Sequence, residues 1–238
     1  MWRLPRRRDF MEHGGNSGNG ADGFSRARLE MVETQIRRRH IHDRRVLECL
    51  ERVPRHEFVP IEFRARAYED APLPIGEGQT ISQPYIVAAM TAALNLQGDE
   101  RVLEIGTGFG YQAAVLACLA REVFTVEFRA KLAAQAAARL ERLGYENAHV
   151  HCGDGTLGLP EFAPYDAILV AAAAPSVPEP LLAQLAAGGR MVLPVGDVEN
   201  QELRLIEGSH DTFRTTMLEP CRFVPLVGAH GWKESSLP

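Results

Sequence analysis

The sequence predicts an α/β protein: a doubly wound, mostly parallel sheet, with antiparallel strands at its C-terminal edge and a helical segment in front. Three observations carry this. Between residues 101 and 195 short apolar runs alternate with helical patterns, and strands separated by helices imply a parallel sheet covered on both faces. A glycine-rich turn, Gly106-Thr107-Gly108-Phe109-Gly110, follows the first of those runs and opens a helix. Beyond residue 200 the chain turns to β-rich stretches, with no helix long enough for a crossover.

The elements follow in order. Residues 13–23 (HGGNSGNGADG) contain five glycines and almost nothing to bury, so residues 1–24 read as a disordered tail. Ser25 is placed to cap a first helix carrying Leu29, Val32 and Ile36, and Asp43 a second carrying Val46, Leu47, Leu50 and Val53. Four prolines, Pro54, Pro60, Pro72 and Pro74, make residues 54–83 loops and short turns. A helix starts at Pro84 with Ile86, Val87, Met90 and Leu94 on its apolar face. Strands are expected at Arg101–Ile105, Glu122–Glu127, Ala148–Cys152, Asp166–Ala171 and Arg190–Val195. Helices are expected at Ala113–Leu119, Lys131–Leu143 and Pro178–Ala187. Glu202–Ile206 and Phe213–Val227 then form an antiparallel pair turning at Gly208-Ser209. The reading is one domain over 25–238: a helical and loop segment (25–83), a core (84–200), and C-terminal strands and tail (201–238).

Composition narrows the function classes. Hydrophobic residues make up 45% and charged residues 24%, the balance of an ordinary soluble protein, which excludes a disordered polyampholyte. No stretch approaches the ~20 apolar residues that span a bilayer, so no membrane partner is expected. Cys49, Cys118, Cys152 and Cys221 are scattered without a CxxC pair, and no apolar run follows the basic N-terminus, so the expected compartment is the cytoplasm. Charge is uneven: residues 1–66 hold 15 basic and 10 acidic residues, residues 67–238 hold 11 and 21. A basic front can signal an anionic partner. No nucleic-acid motif accompanies it, so no nucleic-acid partner is expected; the sequence leaves the oligomeric state unknown, with a monomer favoured.

The glycine turn is the most informative segment. Glycines after a buried strand let the backbone turn sharply and approach a ligand. A pyrophosphate fingerprint is GxGxxG; here Gly106, Gly108 and Gly110 give GxGxG, with Glu104 two residues before. An acid there suits a cationic ligand better than a phosphate. Glu127 ends the second strand, 21 residues after Gly106, and reads either as a solvated strand end or as a carboxylate placed to accept from both ribose hydroxyls of an adenosine. Gly153-Asp154-Gly155 follows the third strand and reads either as a turn or as an acceptor for an adenine amino group. The pattern resembles the ExGxGxG signature of methyltransferases that use S-adenosylmethionine (AdoMet), whose Rossmann-like fold is the doubly wound sheet described above.

The preceding segment, Pro72-Leu73-Pro74-Ile75-Gly76-Glu77-Gly78-Gln79-Thr80-Ile81-Ser82-Gln83-Pro84-Tyr85, closely resembles the signature of protein-L-isoaspartate (D-aspartate) O-methyltransferases. Val53–Pro60, Tyr111-Gln112, Val192–Gly196 and Arg222–Leu226 extend the likeness to about residues 25–227. The resemblance implies methyl transfer from AdoMet, without a metal, to the carboxylate of isoaspartyl residues in damaged proteins and peptides, with repair through a succinimide. It places the catalytic serine at Ser82. It places cofactor contacts at Thr80, Ile81 and Ser82, at Gly106, Thr107, Gly108 and Gly110, and at Glu127 and Asp154, with Gly153 and Gly155 flanking the last. The sequence departs from the pattern at Phe109, where a small residue is expected, and at Ala171–Ala174, which lack a neighbouring hydroxyl residue.

Other chemistries fit less well. His56-Glu57 begins like HExxH, but Pro60 stands where the second His belongs. His149 and His151 share a strand face without a third ligand. Gly-x-Ser-x-Gly is absent. Two alternatives remain beside isoaspartyl methylation: an AdoMet enzyme with another acceptor, and a non-catalytic relative acting as a binding module.

Overall fold

The structure, a computed structural model, describes residues 18–209 and 212–236. The tail expected over 1–24 therefore lies outside the described residues as far as residue 17. Helix α1 spans Gly18–Met31, so Ser25 lies inside a helix rather than capping it. Phe24 gives the reason: its ring stacks on His56 at 4.2 Å, and packing overrides the weak helix propensity of the glycines before it. Helix α2 spans Arg44–Arg52 and begins as expected, with the Asp43 carboxylate accepting from Arg45 N and Val46 N.

The proline-rich stretch is more ordered than its composition suggests. Two 3-10 turns, Arg55–Phe58 and Ile61–Arg66, lead into a hairpin of β1 (Leu73–Gly76) and β2 (Gln79–Ile81). Its turn, Gly76-Glu77-Gly78, has positive φ at all three residues (90°, 51° and 69°), which only glycine adopts freely. Helix α3 runs Pro84–Leu94, with Pro84 at its first position and Gln83 as its cap residue.

Strand β3 (Arg101–Ile105), helix α4 (Tyr111–Ala117), strand β4 (Glu122–Glu127), helix α5 (Ala130–Arg142) and strand β5 (Ala148–Cys152) come next. Strand β6 (Tyr165–Val170), helix α6 (Glu179–Ala183), and strands β7 (Leu185–Gly196), β8 (Gln201–Ser209) and β9 (Thr212–Cys221) complete the chain's main elements. Two expectations are corrected. The helix expected to run to Ala187 stops at Ala183, because Gln184 and Leu185 enter the sheet: Tyr165 N bonds Gln184 O and pairs begin at Tyr165–Leu185. The last strand ends at Cys221 rather than Val227. The chain then crosses the ends of the parallel strands, where Ala173 N donates to Val224 O and Leu226 N to Ala173 O.

The seven strands order as β5-β4-β3-β6-β7-β8-β9. β5, β4, β3, β6 and β7 are parallel, and β8 and β9 add antiparallel at the edge. Alternate residues feed opposite faces, as a doubly covered sheet requires. Val102 and Leu169 join one core with Met31, Leu47 and Phe58. Leu103 and Ile168 join the other with Leu181 and Met191. The N-terminal segment thus shares a core with the sheet. The strand order reverses between β3 and β6, and the C-terminal ends of those strands flank the crevice where open α/β sheets take ligands.

Candidate active site

Ile105 and Val170 end the two strands at the reversal, and the residues after them face each other. Ala171 N donates to Ile105 O at 2.8 Å, and a Cβ on Gly106 would rest 3.5 Å from Ala171 Cβ. Beside this junction opens a cleft at the C-terminal ends of the strands. Its inner wall is Gly106, Gly108, Glu127 and Gly155, with Ala171 and Ala172. Gln79 and Thr80 form one flank, Phe128 and Arg129 another, and Val224–Val227 a third.

The hairpin reaches this cleft by packing on the glycine loop. A Cβ on Gly108 would come within 3.1 Å of Ile75 Cδ1, so the hairpin and the glycine loop are in close contact there. Lys131 Nζ pairs with Glu77 at 3.1 Å and ties the hairpin tip to the start of α5. Glu127 anchors the loop: its carboxylate accepts from Gly108 N at 2.8 Å and Arg129 N at 3.0 Å. A carboxylate has about four acceptor positions, so two remain for a ligand's hydroxyls.

Several sequence-predicted residues lie behind this wall rather than in it. Glu104 is completely buried; Thr125 Oγ1 donates to its Oε2 at 2.6 Å, and the Thr107 and Thr125 hydroxyls are bonded at 2.6 Å. Among the described residues, Oε1 of Glu104 is buried without a hydrogen-bond partner. Burial pushes the Glu104 carboxyl up to about 8, the Thr125 bond opposing and the Glu127 charge adding to the rise. Thr107 therefore serves the buried hydroxyl chain, and its side chain is not in the cleft wall among the described residues. Gly110 caps α4 in the left-handed conformation. Ile81 is buried in the core against the sheet. Strand alternation puts Glu104 on the same face of β3 as Val102, in the core shared with the N-terminal segment.

Asp154 also has a structural task. Its Oδ1 accepts from Thr156 N and Thr156 Oγ1, and its Oδ2 from Ala229 N at 2.7 Å. Gly228 lies so close that a Cβ there would clash with Asp154 Oδ1. Gly155 of the Gly153-Asp154-Gly155 turn lines the cleft.

Ser82 follows β2, half-buried, with its carbonyl accepting from Arg55 Nη2 at 2.7 Å. It is not the capping hydroxyl of α3: Gln83 holds that position, and no side chain bonds the cap. Phe109 turns away from the cleft, under the Arg139 guanidinium at 4.2 Å. His149 and His151 pack around the Phe124 ring, with centroids at 5.1 and 6.2 Å.

Sequence reasoning missed Phe128, Arg129 and Val224–Val227. The exposed apolar ring of Phe128 directly after the strand-end acid was a readable signal. Residues 224–227 carried only the Arg222–Leu226 likeness. The structure shows how they come to the site: Trp232 Nε1 bonds Ala173 O at 3.0 Å, and Arg129 pairs with Glu234 at 3.0 Å.

A parallel sheet with a glycine loop, a strand-end acid and a cleft at the reversal of strand order defines a protein built to hold a nucleoside-type ligand over its β-strand ends. Comparison with known proteins narrows this. A family model described as protein-L-isoaspartate(D-aspartate) O-methyltransferase matches residues 26–231. Protein-L-isoaspartate O-methyltransferase 1 of Syntrophobacter fumaroxidans is 57% identical over 210 residues, covering 88% of this chain and 98% of that protein. The protein-L-isoaspartate O-methyltransferase of Roseiflexus castenholzii is 54% identical over 215 residues, covering 90% and 98%. A solved structure of a protein-L-isoaspartate O-methyltransferase superposes with a TM-score of 0.76 at 32% identity, over 85% of this chain and 67% of that one. A Plasmodium falciparum protein assigned the same activity, solved with S-adenosyl-L-homocysteine, shares the fold (TM-score 0.74, 24% identity, over 84% of this chain and 98% of that one). The chain belongs to the protein-L-isoaspartate (D-aspartate) O-methyltransferase family.

Proposed function

We propose that this protein transfers a methyl group from AdoMet to the carboxylate of L-isoaspartyl residues in damaged proteins and peptides, starting repair through a succinimide. The observation that carries the reading is the packing of the β1–β2 hairpin, which bears Gln79–Ile81 and leads directly into Ser82, onto the glycine loop beside Glu127. Gln79 and Thr80 of that segment and Gly106 and Gly108 of the glycine loop line the same cleft, which supports this reading.

The residues present fit the co-substrate. Glu127 retains acceptor positions for ribose hydroxyls, Phe128 offers a ring face, and the unpartnered Glu104 oxygen beneath the loop favours a cation above it. When bound, AdoMet supplies an electrophilic methyl on a sulfonium. An isoaspartyl carboxylate, with a pKa of about 4, is already ionised at pH 7 and needs no general base. The protein's work is alignment and exclusion of water. Ser82 orients the carboxylate by donating a hydrogen bond, and Val224–Val227 cover the cleft. Asp154 has an acceptor position left on Oδ2, and with it a role toward the adenine, besides fixing Ala229.

Isoaspartyl-bearing proteins are the proposed partners, acted on by a monomeric single domain over 25–238. The unpaired cysteines accord with the cytoplasm. The reading is tested with labelled AdoMet and paired peptides: an isoaspartyl peptide becomes labelled and its aspartyl twin does not. Equal labelling of the two, or none, overturns it.

A further inference from the structure

We infer that Arg55 is a positioning residue for the reaction, holding the backbone of Ser82 and through it the direction of the Ser82 hydroxyl. This rests on the reading that Ser82 orients the acceptor carboxylate. Arg55 is completely buried and, among the described residues, has no carboxylate within ion-pair distance. A guanidinium so placed is stabilised only by what it bonds. Its Nε donates to Ala67 O at 2.8 Å and its Nη2 to Ser82 O at 2.7 Å. Its carbon lies 4.8 Å from the centre of the Tyr111 ring.

These three contacts locate its function. Ala67 stands before the β1–β2 hairpin and Ser82 stands directly after it, so one side chain pins both ends of that excursion. Tyr111 is the first residue of α4, next to Gly110. The guanidinium therefore ties the Ser82 backbone to the helix that the glycine loop opens. Burial lowers the Arg55 pKa to about 10, which leaves it charged at neutral pH. A side chain required only for volume would not need a charge here. The planar fork, which bonds in two directions and stacks on a ring, is what lysine lacks.

The experiment is a double-mutant cycle on Arg55→Lys and Ser82→Ala, using steady-state kinetics with an isoaspartyl peptide. Arg55→Lys should lower kcat at least tenfold, since small displacements at reacting groups cost up to about a hundredfold. The KM for AdoMet should stay within about threefold. In the Ser82→Ala background, which keeps the carbonyl but removes the hydroxyl, Arg55→Lys should lower kcat no further than about twofold. Multiplying losses would overturn the inference, as would a wild-type kcat for Arg55→Lys or a parallel loss of AdoMet binding. If Arg55→Lys does not fold, Arg55→Gln, which keeps a donor, enters the same cycle. A slow Ser82→Ala beside a normal Arg55→Lys removes Arg55 alone; failure of the wild type to label the isoaspartyl peptide removes the functional reading.

Discussion

The cleft has two kinds of wall. The inner wall comes from adjacent strand ends: Gly106 and Gly108 after β3, Glu127 closing β4, Ala171 after β6. Each is fixed by sheet pairing within a few residues, and Glu127 binds the loop directly. The outer wall, Val224–Val227, follows the last strand and is held by distant partners: Ala173, Asp154, and Arg129 through Glu234. The first wall is built by the fold itself. The second is laid on afterwards by hydrogen bonds that can be removed one at a time. The expectation is that damage to the inner wall destroys ligand binding, whereas damage to the outer wall loosens it.

The largest effect should come from beneath the inner wall. Glu104 has its pKa raised to about 8 in the folded protein, from an ordinary carboxyl value near 4.5. Between these values the folded state holds a proton that the unfolded chain has lost. Stability therefore falls as pH rises from about 4.5 to about 8 and the slope vanishes above that, a total on the order of a few kcal/mol. Urea unfolding at pH 5, 6.5 and 8 should show this decline, and Glu104→Gln should flatten it. Equal slopes in the two proteins would remove the buried acid as its source. Because a cation above the loop favours the ionised form, AdoMet should also release protons on binding near pH 7, seen as buffer-dependent binding heats.

Next is Glu127→Ala, which removes the acceptor for Gly108 N and Arg129 N together with the positions left for a ligand. Two charge-assisted hydrogen bonds are worth about 3 kcal/mol, so AdoMet affinity by calorimetry should fall on the order of a hundredfold. Unchanged affinity would take Glu127 out of the site.

These two acids also show what the sequence disclosed and what it hid. Arg101–Ile105 and Glu122–Glu127 were readable as strands because buried parallel strands are short apolar runs bounded by turns. Glu127 was readable because its position at a strand end fixes where it points. Glu104 reads from the sequence as a ligand-facing acid, whereas in the structure it is buried with its carboxyl bonded to Thr125 on the neighbouring strand, beneath the loop. The hairpin was missed since its strands are only four and three residues long and its prolines read as breakers. Leu185 was assigned to a helix because nothing in Leu181–Ala187 interrupts the helical pattern; pairing with Tyr165 decides it. No local pattern connects Asp154 to Ala229, 75 residues away, and such ties exist only once the sheet has formed.

The outer wall gives smaller effects. Asp154→Ala frees Thr156 N, Thr156 Oγ1 and Ala229 N, and should cost about 1–2 kcal/mol in denaturant unfolding. AdoMet affinity should drop about tenfold as Val224–Val227 loosen. Proteolysis after residue 221 should quicken in the variant and slow again with S-adenosylhomocysteine. A loss matching that of Glu127→Ala would erase the distinction between the walls.

The smallest effect is expected at the outermost tie. Arg129 and Glu234 pair at 3.0 Å with side chains 30% and 57% exposed, so solvent and salt screen the attraction. Glu234→Gln should change stability by less than about 1 kcal/mol and raise the KM for AdoMet no more than about threefold. The informative variable is salt. If this pair helps hold the outer wall closed, the difference between wild type and Glu234→Gln should shrink from low ionic strength to about 0.5 M salt, where screening acts within a few ångströms. A difference that persists at high salt would assign the closure to the backbone contacts at Ala173 and Asp154, which salt does not weaken.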